Sequence, residues 1–254
     1  MTPLMISALC LAMLGTSFLS GIFGMAGGMI LVGILLVLMP VPEAMMLHGV
    51  TQMASNGWRA LLWWRHVRWA PVAAYIIGCS LALGVWSFTR YVPSLPVALL
   101  LLGLTPFMVR LLPQSYRPNA ESPPQGVFYG TICMALILLT GVAGPLIDTF
   151  FLGGKLDRKE IVATKAFCQI FGHAAKLVYF GVLIEQAASV DPIVAGLAIV
   201  SSMIGTSLAK QVLEAMTDQQ YRKWANAIIV TIAGYYVLHG TYLMVVSYQA
   251  AKAV

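Results

Sequence analysis

Residues 48–59 read HGVTQMASNGWR, and residues 164–176 read TKAFCQIFGHAAK. In the first, His48, Gln52, Asn56 and Arg59 follow one another at spacings of four, four and three. In the second, Lys165, Gln169, His173 and Lys176 repeat those spacings 117 positions later. The pattern i, i+4, i+8, i+11 marks one face of a helix, and Thr51 and Ser55 widen that face in the first copy. Glu43 and Glu160 extend the match at the same offset. Five polar pairs at one offset point to an internal duplication.

The duplication reaches outward from these stretches. Gly21 and Gly24 in GIFGMAGG (21–28) recur as Gly141 and Gly144 in GVAGP (141–145), and Pro71, Ser80 and Gly84 recur as Pro192, Ser201 and Gly205. The repeats are expected at 1–112 and 127–254, joined by a loop over 113–126, within one transmembrane domain.

What surrounds the stripes is apolar. Of 254 residues 59% are hydrophobic and 9% charged, against about 25% charged in soluble domains, and the mean hydropathy is +0.85. Apolar runs cover 4–38, 44–64, 70–88, 94–112, 127–154, 161–181, 192–209 and 226–247. This is the pattern of an all-α polytopic membrane protein. Six runs suit one crossing each. The runs 4–38 and 127–154 are too long and are interrupted by Gly and Pro. Residues 2–9 lack a positive region, so no cleaved signal is expected.

The net charge of +6 does not indicate nucleic acid, because Lys and Arg cluster in the connections between apolar runs. Cys10, Cys79, Cys133 and Cys168 fall within apolar segments without metal-ligand spacing. They read as small hydrophobes, and neither a metal nor a cofactor is expected. HExxH, GxSxG and P-loop motifs are missing, which disfavours an enzyme.

Basic residues also set the topology. If each long run crosses once, they divide almost evenly between the two sides. If each is a hairpin returning to its own side, Arg65, Arg68, Arg110, Arg117, Lys155, Arg158, Lys159, Lys210, Arg222 and Lys223 share one side. Only Arg90 and Lys252 then lie opposite, with the acidic loop of Glu185 and Asp191. The expected fold is two inverted repeats, each a Gly-broken helical hairpin plus three transmembrane helices, with both termini outside. Hairpin arms of about 10–17 residues are short for full spans, so re-entrant loops remain open. Trp63, Trp64 and Trp69 flank Arg65 and Arg68 as an interfacial belt, with His66 among them.

This arrangement puts Gln52, Asn56, Gln169 and His173 near mid-membrane, His48 and Lys176 toward the outside, and Arg59 and Lys165 toward the inside. Two plainer readings compete: the cations snorkel to headgroups, and the amides join helices as hydrogen-bond glue. His239 reads as a lone hydrogen-bonding group. A stripe repeated in both halves favours a pathway, since a charge at the bilayer centre costs at least about 2.5 kcal/mol. The excess of cations favours an anionic cargo. Candidate cargo contacts are Gln52, Asn56, Arg59, Lys165, Gln169, His173 and Lys176. Gly24, Gly27, Gly28, Gly141 and Gly144 would offer backbone N–H groups at half-helix N-termini. Asp148 and His48 are candidates for coupling or gating; for Asp148 a helix cap is the alternative.

Two blocks resemble the sulfite exporter TauE/SafE family, also called toluene-sulfonate uptake permeases. Gly24-Met25-Ala26-Gly27-Gly28 with Gly33 is similar to that family's first break, with Ala26 in place of a Gly and Gly33 in place of a Pro. GVAGPLIDTFF (141–151) and LDRKEIVATKAFCQIFGHAAKLVYF (156–180) resemble its second-repeat block. The resemblance implies a secondary carrier of the bacterial inner membrane for sulfite, sulfoacetate or another organosulfonate, with export the expected direction. It leaves open a coupling proton or sodium ion and a homodimer. A passive anion channel and a non-transporting membrane scaffold are the alternatives.

Overall fold

The computed structural model describes residues 2–113, 115–116, 118–152, 155–185 and 187–252. Arg117 lies outside them, as do the side chains of Arg158 and Arg222. Among the described residues there are ten α-helices and no strand, five in each half of the chain. The first half holds α1 (Pro3–Phe23), α2 (Met25–Leu38), α3 (Val41–Leu62), α4 (Trp69–Thr89) and α5 (Leu95–Arg110). The second holds α6 (Pro123–Thr140), α7 (Gly144–Leu152), α8 (Arg158–Val178), α9 (Pro192–Ala215) and α10 (Asp218–Lys252).

Local sequence explains the helix starts. Proline opens α1, α3, α5, α6 and α9, where its missing N–H costs nothing and its fixed φ suits the first turn. Asp157 caps α8 by accepting from the N–H groups of Lys159 and Glu160, while the Glu160 carboxylate accepts from the N–H of Asp157. This is a reciprocal capping box. Asp191 caps α9 through the N–H groups of Ile193 and Val194.

The two glycine breaks are real. Gly24 separates α1 from α2 with φ 70° and ψ −105°, a conformation that residues with a Cβ rarely adopt. Gly141 ends α6 in the left-handed region at φ 87°. The arms differ from expectation, however. α1 has 21 residues and is long enough to cross, whereas α7 has nine, less than half a span.

Among the described residues six helices are long and apolar enough to cross a membrane: α1, α4, α6, α8 with its extension to Leu183, α9 and α10. The number matches the expected single crossings, but the set does not. α3 is missing from it because the polar stripe lowers its hydropathy, and α5 because it has only 16 residues.

The principal pairings put α1 along α9, α4 along α6, α3 along α8 and α5 along α10. The first two are parallel and very close. A Cβ at Gly205 would overlap the carbonyl of Leu14, and one at Gly78 that of Val127. The other two are antiparallel. Gly49 near the start of α3 packs on Leu177 at the end of α8, and the Arg68 N–H beyond α3 donates to Thr164 near the start of α8. Exchanging α1–α5 for α6–α10 leaves this set of pairings unchanged.

Charges gather at opposite ends of α8. Arg68 pairs with Glu121 and Glu160, and Lys159 lies over the Trp63 ring. At the other end Arg90 pairs with Glu185, and the Tyr179 hydroxyl donates to the carbonyl of Tyr91.

Candidate functional site

The antiparallel α3–α8 pair carries both stripes, and the two broken segments bring their ends to it. Gly24, Met25 and Gly28, at the start of α2, face Ala143 and Gly144, at the start of α7, across one cavity. The starts are in direct contact, for a Cβ on Gly144 would overlap the Met25 side chain. A helix cannot satisfy its own first-turn N–H groups, and its N-terminus carries partial positive charge. Two such ends therefore converge here.

From α3 and α8 the same cavity receives Gln52, Asn56, Arg59, Lys165, Gln169 and His173; Asp148 enters from α7. Gln52 approaches Gly28 so closely that a Cβ there would stand 3.4 Å from its Oε1. Asn56 donates to the carbonyl of Gln52 in its own helix at 2.9 Å, and its Oδ1 accepts from Arg59 at 3.5 Å. Arg59 also donates to the carbonyl of Ser20 at 3.2 Å. Lys165 makes an ion pair with Asp148 at 2.5 Å, the two side chains 15% and 21% exposed. Asp148 is the fifth residue of α7, so the alternative of a helix cap does not apply.

Several polar atoms here lack partners. Ser20 Oγ, Gln52 Nε2 and His173 Nδ1 are buried without a hydrogen bond, and the Tyr75 hydroxyl has no nitrogen or oxygen partner. The Tyr75 hydroxyl sits beside the Cys133 thiol. All four residues line the cavity. Buried polar groups are normally satisfied, and unpaired ones aimed at one space fit a polar ligand. Tyr75 had no signal in the sequence, since it stands singly within an apolar run, and Ser20 had only the uncharged Thr16 and Ser17 beside it.

Not every expected residue lines this space. Gly27 packs against the carbonyl of Thr16 in α1, and Gly141 against Val32 and Met45. Lys176 and His48 stand behind the wall, both fully buried. Lys176 Nζ lies 2.7 Å from His48 Nδ1 and donates to the carbonyl of Gly141 at 3.2 Å. His48 Nε2 lies 3.0 Å from the carbonyl of Gly28. The snorkelling reading therefore fails for Lys176: the residue is 0% exposed and its Nζ is bonded inside the protein. His48 meets His173 edge-on, ring centres 5.6 Å apart.

The cavity holds about 20 Å³, room for little more than one water. The space is thus narrow.

A family model for the sulfite exporter TauE/SafE matches residues 9–236. The chain belongs to the TauE/SafE family. It is accordingly a multi-pass membrane protein of a transport family rather than an enzyme family. No curated protein and no solved structure matches it.

Proposed function

We propose that this TauE/SafE protein is a secondary carrier of the bacterial inner membrane that exports a small sulfur oxyanion, sulfite or an organosulfonate, by alternating access at the α3–α8 cavity. The observation that carries the reading is the convergence of two helix N-termini, Arg59 and Lys165 on one small space that holds a single carboxylate, Asp148. Gln52, Gln169 and His173 would donate to the oxyanion, with Ser20 and Tyr75 completing the shell. Asn56 would hold Arg59 in place, and Lys165, released from Asp148, would meet the cargo. Lys176, bonded behind the wall to His48 and Gly141, would not touch the cargo.

The inverted-repeat organisation belongs to this proposal. A two-fold axis in the membrane plane requires elements that pair with their own equivalents to run antiparallel, as α3–α8 and α5–α10 do. It also requires α1–α9 and α6–α4 to be equivalent pairs, and both are parallel. The clustering of Arg68, Glu121, Glu160 and Lys159 at one end supports placing the basic loops on the inner side and both termini outside. The narrowness of the space, about 20 Å³, favours a carrier over a passive channel, which needs a continuous path.

The test is exchange of ³⁵S-sulfite or ³⁵S-sulfoacetate across liposomes containing the purified protein. Unlabelled anion on the far side should accelerate label movement, and His173→Ala and Lys165→Ala should slow it. Wild-type rates in both variants, at normal insertion, would sink the reading.

A further inference from the structure

The proposed carrier leaves one constellation unused: the chain of contacts Gly28 O, His48, Lys176, Gly141 O. It joins α2, which follows the first break, to the end of α6 at the second, and it crosses the interface between the two halves.

Donor and acceptor roles in this chain are fixed by chemistry. A backbone carbonyl only accepts, so His48 Nε2 must carry hydrogen to bond Gly28 O at 3.0 Å. In a neutral ring that leaves Nδ1 as a lone pair, facing Lys176 Nζ at 2.7 Å. A proton on Nδ1 would set its N–H against an ammonium. The pair therefore holds at most one excess proton, on Nζ or on the ring, and the two sites titrate as a unit.

The surroundings decide what that proton does. Among the described residues no carboxylate forms an ion pair or hydrogen bond with Lys176. Asp148, the acid of α7, is held by Lys165. Glu43, on α3, has a buried Oε2 without any hydrogen-bond partner, so that oxygen is not bonded to the pair. α2 has no ionisable side chain, α6 offers the Gly141 carbonyl, Tyr75 of α4 faces the cavity, and Tyr179 beyond α8 is bonded to Tyr91. From α8 itself only His173 faces the pair, its ring edge against His48. A buried ammonium without a counter-ion carries a large desolvation cost. The nearest place for a counter-ion is the cavity, which His173 and Gly28 line on one face while touching His48 on the other. An anion there stabilises the proton, and by linkage the proton tightens the anion by the same factor.

We infer that Lys176 and His48 form a one-proton site behind the anion cavity, so that each anion crosses the membrane in company with one proton, in the same direction. The inference rests on the carrier reading and adds its coupling ion. Sealed from solvent and bonded to both breaks, the pair can exchange its proton only when the breaks move, which ties protonation to the conformational cycle.

The experiment uses purified full-length protein in liposomes with ³⁵S-sulfoacetate, which stays fully ionised between pH 6 and 8. Any pH effect then belongs to the protein. Voltage is clamped with potassium and valinomycin. With one proton per anion, a one-unit pH gradient should hold the label about tenfold more concentrated on the alkaline side. Lys176→Met, which keeps the volume, and His48→Gln, which keeps a donor toward Gly28 and an acceptor toward Lys176, should still exchange label at equal pH. Both should show no pH-driven accumulation. If the wild type exchanges but ignores the gradient, or if both variants accumulate like the wild type, the proton site is overturned and the carrier stands. If the wild type exchanges neither sulfoacetate nor sulfite, the carrier reading falls and the proton site with it. A variant that loses exchange altogether leaves the decision to the other variant and to the wild-type gradient response.

Discussion

Lys165 and Lys176 lie eleven residues apart on one face of α8, yet their surroundings differ completely. Lys165 lines the cavity, is partly exposed and is paired with Asp148. Lys176 is sealed, has no acid partner and is bonded to an imidazole and a carbonyl. One stripe thus supplies two kinds of cation. The first can trade its carboxylate for a cargo oxyanion at little net change in charge contacts. The second has nothing to trade, and its charge is stabilised only by what enters the neighbouring space. A stripe on a helix face does not assign one role to all its members.

The sharpest way to break this contrast is Lys165→Ala. It strands Asp148 in the cavity, where its carboxylate repels an anion. Losing one partner of a largely buried pair costs about 3 kcal/mol, so exchange should fall roughly a hundredfold. Adding Asp148→Asn should recover about tenfold of that loss. If the single and double variants exchange label equally, the pair is not the gate.

At the other lysine the expected loss is in stability. Lys176→Ala removes the donor to His48 and Gly141 and opens a void, costing about 2–3 kcal/mol in thermal or denaturant unfolding. Lys176→Met should cost less. Equal losses would show that hydrogen bonding, not volume, is what Lys176 supplies.

Gly24→Ala separates the two ends of α8. The added Cβ finds space, with Lys165 Nζ 3.9 Å away, so only backbone strain of about 1–2 kcal/mol is expected. Exchange should suffer while the Lys176 end keeps its proton response.

The smallest effect belongs to Asp157, which starts the helix bearing both lysines. N–H groups of Glu160 and then of Lys159 hold its carboxyl below the usual range. A depressed folded-state value means that the contribution is present above the unfolded value near pH 4 and is lost as pH falls through the folded one. Asp157→Ala should therefore lower the melting temperature slightly at pH 7, with the difference vanishing as pH falls through the lowered folded-state value. Neither lysine's behaviour should change.

Much of this geometry could be read from the chain. The spacing of Gln52, Asn56 and Arg59 fixes a helix face, and the near-copy 117 residues later fixes its counterpart. The structure puts the members of both that line the cavity on one space. The breaks were legible as Gly24 and Gly141 because positive φ selects glycine. Lys176 was not, because periodicity says which face a side chain leaves from but not whose carbonyl its end meets. Tyr75 comes from α4, where no polar neighbour at helical spacing marks it, and Ser20 from α1, where Thr16 and Ser17 share its face without a charged or amide group to mark a pathway. The length of α1 was hidden by the unbroken apolarity on both sides of Gly24.

The central claim is that the α3–α8 cavity binds a sulfur oxyanion. Its most direct test is the melting temperature of purified protein against rising sulfite, sulfoacetate and thiosulfate, for the wild type and for Gln52→Ala/Gln169→Ala. Ligand at about a hundred times its Kd should stabilise the wild type by about 2.7 kcal/mol, and the double variant should lose most of that gain. A wild type that none of these anions stabilises, or a double variant stabilised equally, would contradict the account.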